Sequence, residues 1–321
     1  MSEHKSDILV QAEGLVKHFI DKGAAVQAVS NVNLTIYRGE TLCLVGESGC
    51  GKSTLGRLLL RLIEPTAGKV VFDGEDISTM KANGLRNVRR KMQLIFQDPY
   101  ASLDPRMSVG KIVGEPLKIH RVGDAASQSA KVDELLGVVG IPIEYKGRYP
   151  HQFSGGQRQR IGIARALALN PELVVCDEPV SALDVSIQAQ ILNLLHDLQQ
   201  QYSLTYLFIT HDLGVVRYIA TRVCVMFLGK ICEIGSTEEI FQSPRHPYTH
   251  FLLASTPTPD PTKRKEDKDI LLGDVPSPIN PPSGCRFHKR CPYMEEICTQ
   301  KEPPLHDTNG HLCACHFPLP V

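Results

Sequence analysis

Nine residues, Gly46-Glu47-Ser48-Gly49-Cys50-Gly51-Lys52-Ser53-Thr54, restrict the fold of this chain more than any other stretch. They lie between a short apolar run, Thr41 to Val45, and a segment of helical apolar spacing, Leu55 to Ile63, which stops before Pro65. In a strand–glycine loop–helix unit, backbone N–H groups curl around a phosphate and the helix N-terminus adds a favourable dipole. A buried strand feeding such a loop implies an α/β layer structure.

The remaining pattern agrees. Ile8 to Leu15 and Val29 to Ile36 read as β-strands with alternating apolar residues. From about Tyr100 to Pro150 the chain changes to polar helices with Pro and Gly breaks, such as Ala125 to Val139, which reads as an inserted helical lobe. Beyond it, a helix (Gln157 to Leu169), a buried strand (Leu173 to Cys176), a helix (Ile187 to Gln200) and another buried strand (Leu204 to Thr210) alternate. That alternation predicts a largely parallel sheet. From about Ser255 the composition turns to Pro, Lys and Asp, then to Cys and His: a linker and a small appendage with too little apolar content for its own core.

The chain has 321 residues, enough for one large domain or two unequal ones. Lys plus Arg equal Asp plus Glu at 35 each, so no general nucleic-acid footprint is expected. The opening Met-Ser-Glu-His-Lys-Ser-Asp lacks a signal-peptide layout, and no apolar run approaches the roughly 18 residues that span a bilayer. A soluble protein whose membrane role, if any, comes through a partner is expected. Five of the ten cysteines crowd the last forty residues, which points to a local metal site rather than a disulfide scaffold.

In the glycine loop, Lys52 is placed to reach the β- and γ-phosphates of a nucleoside triphosphate, and Ser53 to ligate Mg²⁺. Asp177 ends a buried apolar strand, where a carboxylate is costly unless it meets a cation or donor; holding Mg²⁺ meets that need. Glu178, one residue on, is a candidate general base for the attacking water. His211 follows a second buried strand, at the carboxyl end where ligands bind in open α/β sheets. Cys50, beside Lys52 and a helix N-terminus, is expected to have a lowered pKa and to react when the site is empty.

Over about residues 8–255 the chain resembles the nucleotide-binding subunit of an ABC transporter. Gly46 to Thr54 is similar to the Walker A loop and Val174 to Glu178 to the Walker B strand. Gln97 matches the Q-loop glutamine, Ser181-Ala182-Leu183-Asp184 the D-loop and His211 the switch histidine. Phe153-Ser154-Gly155-Gly156-Gln157 matches the family signature, with Phe where Leu is commonest. The resemblance implies a P-loop ATPase core in residues 1–255, with an N-terminal antiparallel β subdomain and a helical lobe at about 100–165. It also implies catalytic roles for Lys52, Gln97, Glu178 and His211, and Mg²⁺ held by Ser53, Gln97 and Asp177. The implied ATP contacts are Phe19, stacked on adenine, Gln97 and the whole loop: Gly46, Glu47, Ser48, Gly49, Cys50, Gly51, Lys52, Ser53 and Thr54. In that family ATP lies between two subunits, so Ser154, Gly155, Gly156, Gln157 and Asp184 are implied to act in trans.

Ile95 to Arg106, Asp184 to Gln190 and the tail from Gly284-Cys285-Arg286-Phe287 resemble more narrowly the second of two paired ATPases in bacterial dipeptide and oligopeptide importers. This implies a paralogous ATPase partner, two membrane-spanning permease subunits docking behind Gln97, an extracytoplasmic solute-binding protein acting indirectly, and no nucleic acid. The location implied is the cytoplasmic face of the plasma or inner membrane, peripherally. Nickel and glutathione importers share the architecture. Non-transport ABC ATPases and a redox-sensing ATPase are the other classes. Residues 256–321 are expected to form a linker and a metal-binding extension. Some of that family carry a [4Fe–4S] cluster on cysteines matching Cys285, Cys291, Cys298 and Cys315, with Zn²⁺ or free or disulfide-forming thiols as alternatives and Cys313 competing with Cys315.

Overall fold

The computed structural model describes residues 8–21, 23–255 and 276–320. The opening seven residues and most of the expected linker lie outside the described residues. In chain order the first elements are β1 (Ile8–Asp21), β2 (Ala24–Tyr37), β3 (Thr41–Val45), α1 (Lys52–Leu59), β4 (Ala67–Phe72), β5 (Glu75–Asp76), α2 (Ala82–Val88) and β6 (Met92–Ile95). They are followed by α3 (Val109–Ile119), α4 (Ala125–Val138), α5 (Gly155–Leu167), β7 (Leu173–Asp177), α6 (Val185–Tyr202), β8 (Thr205–Ile209) and α7 (Leu213–Ile219). The last are β9 (Arg222–Phe227), β10 (Lys230–Ser236), α8 (Thr237–Gln242), α9 (Pro247–Ala254), α10 (Glu296–Gln300), β11 (His306–Thr308) and β12 (His311–Cys313). No helix among the described residues is long and apolar enough to cross a membrane.

The chain divides into two compact units. One holds Thr79–Ile209 with short pieces near Leu9 and Tyr37–Glu40. Its strands run β8-β7-β6, all parallel. Every residue of β7 and β8 is buried, as in parallel strands covered on both faces. The helical lobe packs α3, α4 and α5 around Ile112, Val113, Leu117, Val132, Leu135, Leu136 and Ile161. Asp124 caps α4 by accepting from the Ser127 N–H at 2.8 Å, which sets where that helix begins.

The other unit holds Val10–Ile36, Thr41–Ser78 and the chain from Thr210 onward. A four-stranded sheet of order β2-β1-β4-β5 has β1–β4 and β4–β5 antiparallel. A second set of strands runs β11-β12-β10-β9-β3, with β3–β9 parallel and the rest antiparallel. α1 begins at Lys52 and ends at Leu59, earlier at both ends than the expected Leu55–Ile63. Gly51 starts it from a left-handed conformation. Beyond its end Arg61 turns left-handed and donates to the carbonyls of Ile77 and Ser78, which stops the helix.

The C-terminal residues extend this unit: β12 pairs with β10 through Glu233↔Cys313 and Ile234↔Leu312. Glu233 is fully buried, and three donors offset that cost: the N–H groups of Arg245 (2.6 Å) and His246 (3.0 Å), and the His311 ring 2.7 Å away. Burial pushes His246 down to about 4, so it stays neutral and its Nδ1 accepts from the Tyr248 N–H at 3.0 Å.

Candidate nucleotide site and cysteine cavity

The glycine loop is shaped by residues that admit no side chain. Gly46 (φ 149°) and Gly51 (φ 105°) each face a carbonyl that an added Cβ would meet at 2.1 Å, Met226 O and Ala28 O respectively. At Gly49 (φ 76°) an added Cβ would meet nothing, so only its backbone conformation favours glycine. Lys52, buried at the first turn of α1, folds back over the loop: its Nζ donates to the carbonyls of Gly46 (2.7 Å) and Glu47 (2.9 Å). The loop thus holds a cation among backbone groups at a helix start, which is an anion-binding arrangement. Ser53 and Thr54 follow in α1, half-buried. Phe19, in β1, is 40% exposed with the Lys17 ammonium 5.0 Å from its ring centroid. The ring is partly exposed at the surface rather than packed into the core. His211 follows Thr210, whose N–H donates to Leu44 O of β3.

Cys50 overturns an expectation. It is 3% exposed, and burial pushes its thiol up, outweighing the nearby Lys52. Glu47 raises it further. A protonated, enclosed thiol is a poor nucleophile. Maleimide at neutral pH is therefore expected to label Cys50 slowly with or without ATP; peptide mapping that finds fast, ATP-protectable labelling would contradict this.

In the other unit β7 ends at Asp177, which is buried. Glu178 follows in a left-handed conformation (φ 47°), unusual for a residue with a long side chain, and its N–H donates to Ile209 O at 3.0 Å. The Gln97 amide, just beyond β6, donates to the Glu178 carboxylate at 2.9 Å. The structure so joins two expected catalytic residues 81 positions apart.

Ser154 is the N-cap of α5: its hydroxyl accepts from Gln157 N–H (3.3 Å) while its own N–H donates to the Gln157 side chain (3.0 Å). A Cβ on Gly156 would lie 2.5 Å from Ile187 of α6, so glycine there permits the close α5–α6 approach. Asp184 starts α6 without a capping hydrogen bond from its side chain, and the adjacent Val185 is 82% exposed. A wide cavity of about 1120 Å³ in the helical lobe, lined by Arg86, Lys111, Lys118, Arg121 and Lys146 among others, contains none of the expected site residues.

Cys285, Cys291, Cys298 and Cys315 line one small cavity with Phe287 and His246; Cys313 does not border it. Cys285 N–H donates to Cys298 O at 2.8 Å, and Gly284 (φ 65°) permits this because a Cβ there would lie 2.3 Å from Cys298 O. Burial pushes Cys285 and Cys291 up to about 11, and the neighbouring thiols add to the effect. Among the described residues no group of three or more His, Cys, Asp or Glu is placed so as to hold a metal ion. The extension is present; the metal-binding character expected of it is not shown. The donor set nevertheless fits a four-thiolate group, since four cysteines share one cavity and the fifth lies outside it.

Two long-range contacts are not legible in the sequence. Tyr248 and Arg290 bear on the glycine loop, with the Glu47 N–H donating to the Tyr248 hydroxyl and Arg290 pairing with the Glu47 carboxylate. No periodicity links positions so far apart.

Residues 29–181 match the ABC transporter family, and residues 232–298 match the oligopeptide/dipeptide transporter C-terminal region. A putative peptide import ATP-binding protein of Brucella ovis is 54% identical over 96% of this chain and 97% of its own length. The oligopeptide transport ATP-binding protein AppF of Bacillus subtilis is 52% identical over 93% of this chain and 92% of its own. An ATP-binding cassette solved as a dimer in a post-hydrolysis state with ADP and Pi superposes with a TM-score of 0.66 at 30% identity, covering 71% of this chain and 99% of that one. With a full-length likeness of this degree, a glycine loop carrying a buried lysine and a matching C-terminal region, the chain belongs to the family of ABC transporter ATP-binding proteins that carry the oligopeptide/dipeptide transporter C-terminal region.

Proposed function

We propose that the chain is the ATP-hydrolysing motor subunit of an importer of di- and oligopeptides, working peripherally at the cytoplasmic face of the membrane. The observation that carries the reading is the glycine loop, where Lys52 already lies against the Gly46 and Glu47 carbonyls that border the phosphate position. The names of the full-length relatives support peptides as the solute.

In this reading the loop takes the phosphates and Lys52 leaves its two carbonyls for the β- and γ-oxygens. Phe19 stacks on adenine. Glu178, oriented by Gln97, takes a proton from the attacking water, and His211 contacts the γ-phosphate. Ser53, Gln97 and Asp177 would hold Mg²⁺, which when bound neutralises phosphate charge. Exposed Ser154, with Gly155, Gly156, Gln157 and Asp184, serves the ATP of a partner ATPase, a paralogue in this reading. Phe96 and Tyr100, both exposed beside Gln97, suit contact with one of two permease subunits fed by an extracytoplasmic binding protein.

Cys285, Cys291, Cys298 and Cys315 would hold a [4Fe–4S] cluster, which when bound staples the extension and supplies a one-electron redox centre. Anaerobic isolation followed by iron, sulfide and zinc analysis tests this part. About four irons and four sulfides per chain are expected; stoichiometric zinc or no metal would refute the cluster. The main reading is tested by reconstituting the chain with its membrane subunits and partner ATPase in vesicles. MgATP-dependent uptake of labelled peptides is expected. Uptake of nickel or glutathione alone would change the solute, and binding to DNA or ribosomes instead of membrane subunits would refute the transport role.

A further inference from the structure

Glu47 is the second residue of the glycine loop, and two contacts reach it from far along the chain. Its N–H donates to the Tyr248 hydroxyl at 2.9 Å. Its two carboxylate oxygens accept from one Arg290 nitrogen at 3.1 and 2.8 Å. The side chains are 7% exposed for Arg290 and 24% for Glu47, so water and salt screen this pair less than a surface one. Tyr248 is itself seated by aromatic contacts: Phe227 and Phe287 have ring centroids 4.7 and 5.3 Å from its own. Arg286 adds a third tie, donating to Gln27 (2.7 Å) and Ser30 (2.9 Å) of β2, on either side of the Ala28 carbonyl that bounds Gly51.

A carboxylate in a phosphate-binding loop repels a polyphosphate unless a cation neutralises it and holds it in one position. Arg290 does both. We propose that the C-terminal extension is a positioning element for the phosphate loop, with Arg290 holding the Glu47 carboxylate and Phe287 seating Tyr248 against the Glu47 amide, so that nucleotide affinity is set partly from the extension. The inference rests on the reading of the loop as an ATP site. Cys285 and Cys291 bracket Arg286, Phe287 and Arg290 and line the cysteine cavity. Order in that cavity and nucleotide affinity are therefore linked, and the linkage is reciprocal.

The experiment compares the full-length wild type with R290Q, R290K and Y248F, measuring equilibrium MgATP binding, the nucleotide-free thermal midpoint and, in the reconstituted transporter, KM and kcat. R290Q is expected to weaken MgATP binding about tenfold, within the usual range of coupling between sites. Its kcat at saturating ATP should stay near wild type, and R290K should recover most of the affinity. Y248F, which keeps the ring and loses the acceptor, should show a smaller loss. Unchanged affinity in R290Q would overturn the proposal. So would a loss of affinity accompanied by a lowered thermal midpoint that R290K fails to repair, since that describes a general folding defect. A wild type that binds no MgATP would instead overturn the ATP reading of the loop.

Discussion

Replacing Glu178 with glutamine is expected to leave MgATP binding near wild type while slowing turnover by about 10²–10⁴-fold, the usual contribution of a general base. The substitution keeps shape and hydrogen bonding almost intact. Gln97 donates to one carboxylate oxygen of Glu178 at 2.9 Å, and the amide carbonyl of glutamine can accept the same bond, more weakly than a carboxylate but with the same geometry. The left-handed backbone at residue 178 is tied by its N–H to Ile209 O and does not depend on the side chain. What disappears is the ability to accept a proton from water. Turnover at saturating ATP in the reconstituted transporter, together with equilibrium binding, checks this. Turnover close to wild type would move the base elsewhere.

Gly51→Ala is expected to cost stability of about 2–5 kcal/mol, from a strained backbone and an overpacked contact together, and to remove MgATP binding. The new Cβ would lie 2.1 Å from the Ala28 carbonyl and 3.1 Å from the Met226 side chain, at a φ of 105°. The methionine can give way; the carbonyl cannot. Ala28 lies within β2, where Ser30 N–H donates to Gly229 O (2.9 Å), and Gly229 N–H in turn donates to Cys50 O (2.8 Å). Relief of the clash must break that chain of bonds or move the loop. Gly49→Ala is the control: it meets nothing within 4 Å, and its cost is the left-handed conformation alone, about 1–2 kcal/mol. Thermal unfolding of both variants without nucleotide decides the matter. Equal midpoints would show that residue 51 is not confined as described.

The same loop shows how far the sequence could be read. Its boundaries were legible because each signal is local. The apolar run of β3 is five residues long and wholly buried, the glycines mark left-handed turns, and the helical spacing begins directly afterwards. The helix end was misplaced because Arg61, an ordinary helix former, is diverted to the carbonyls of Ile77 and Ser78. Cys50 was misread for a related reason. Lys52 and the helix start are visible two residues away, whereas the burial that outweighs them comes from packing by remote residues. Among the tail cysteines, spacing left Cys313 and Cys315 as competitors. Pairing of β12 with β10 commits Cys313 to a strand opposite Glu233, and Cys315 is left beside the cavity.

Glycine placement, apolar periodicity and the run of charged residues after buried strands were sufficient to establish an α/β phosphate-binding chain, since each of these signals acts within one or two neighbouring elements. Folding was needed to bring Gln97 to Glu178, four scattered cysteines to one cavity, and Arg290 to Glu47 across 243 positions. The physical reason is that such contacts depend on the path of the backbone and on which surfaces lose water. Neither is encoded in any single window of the sequence, and both emerge only when the whole core closes.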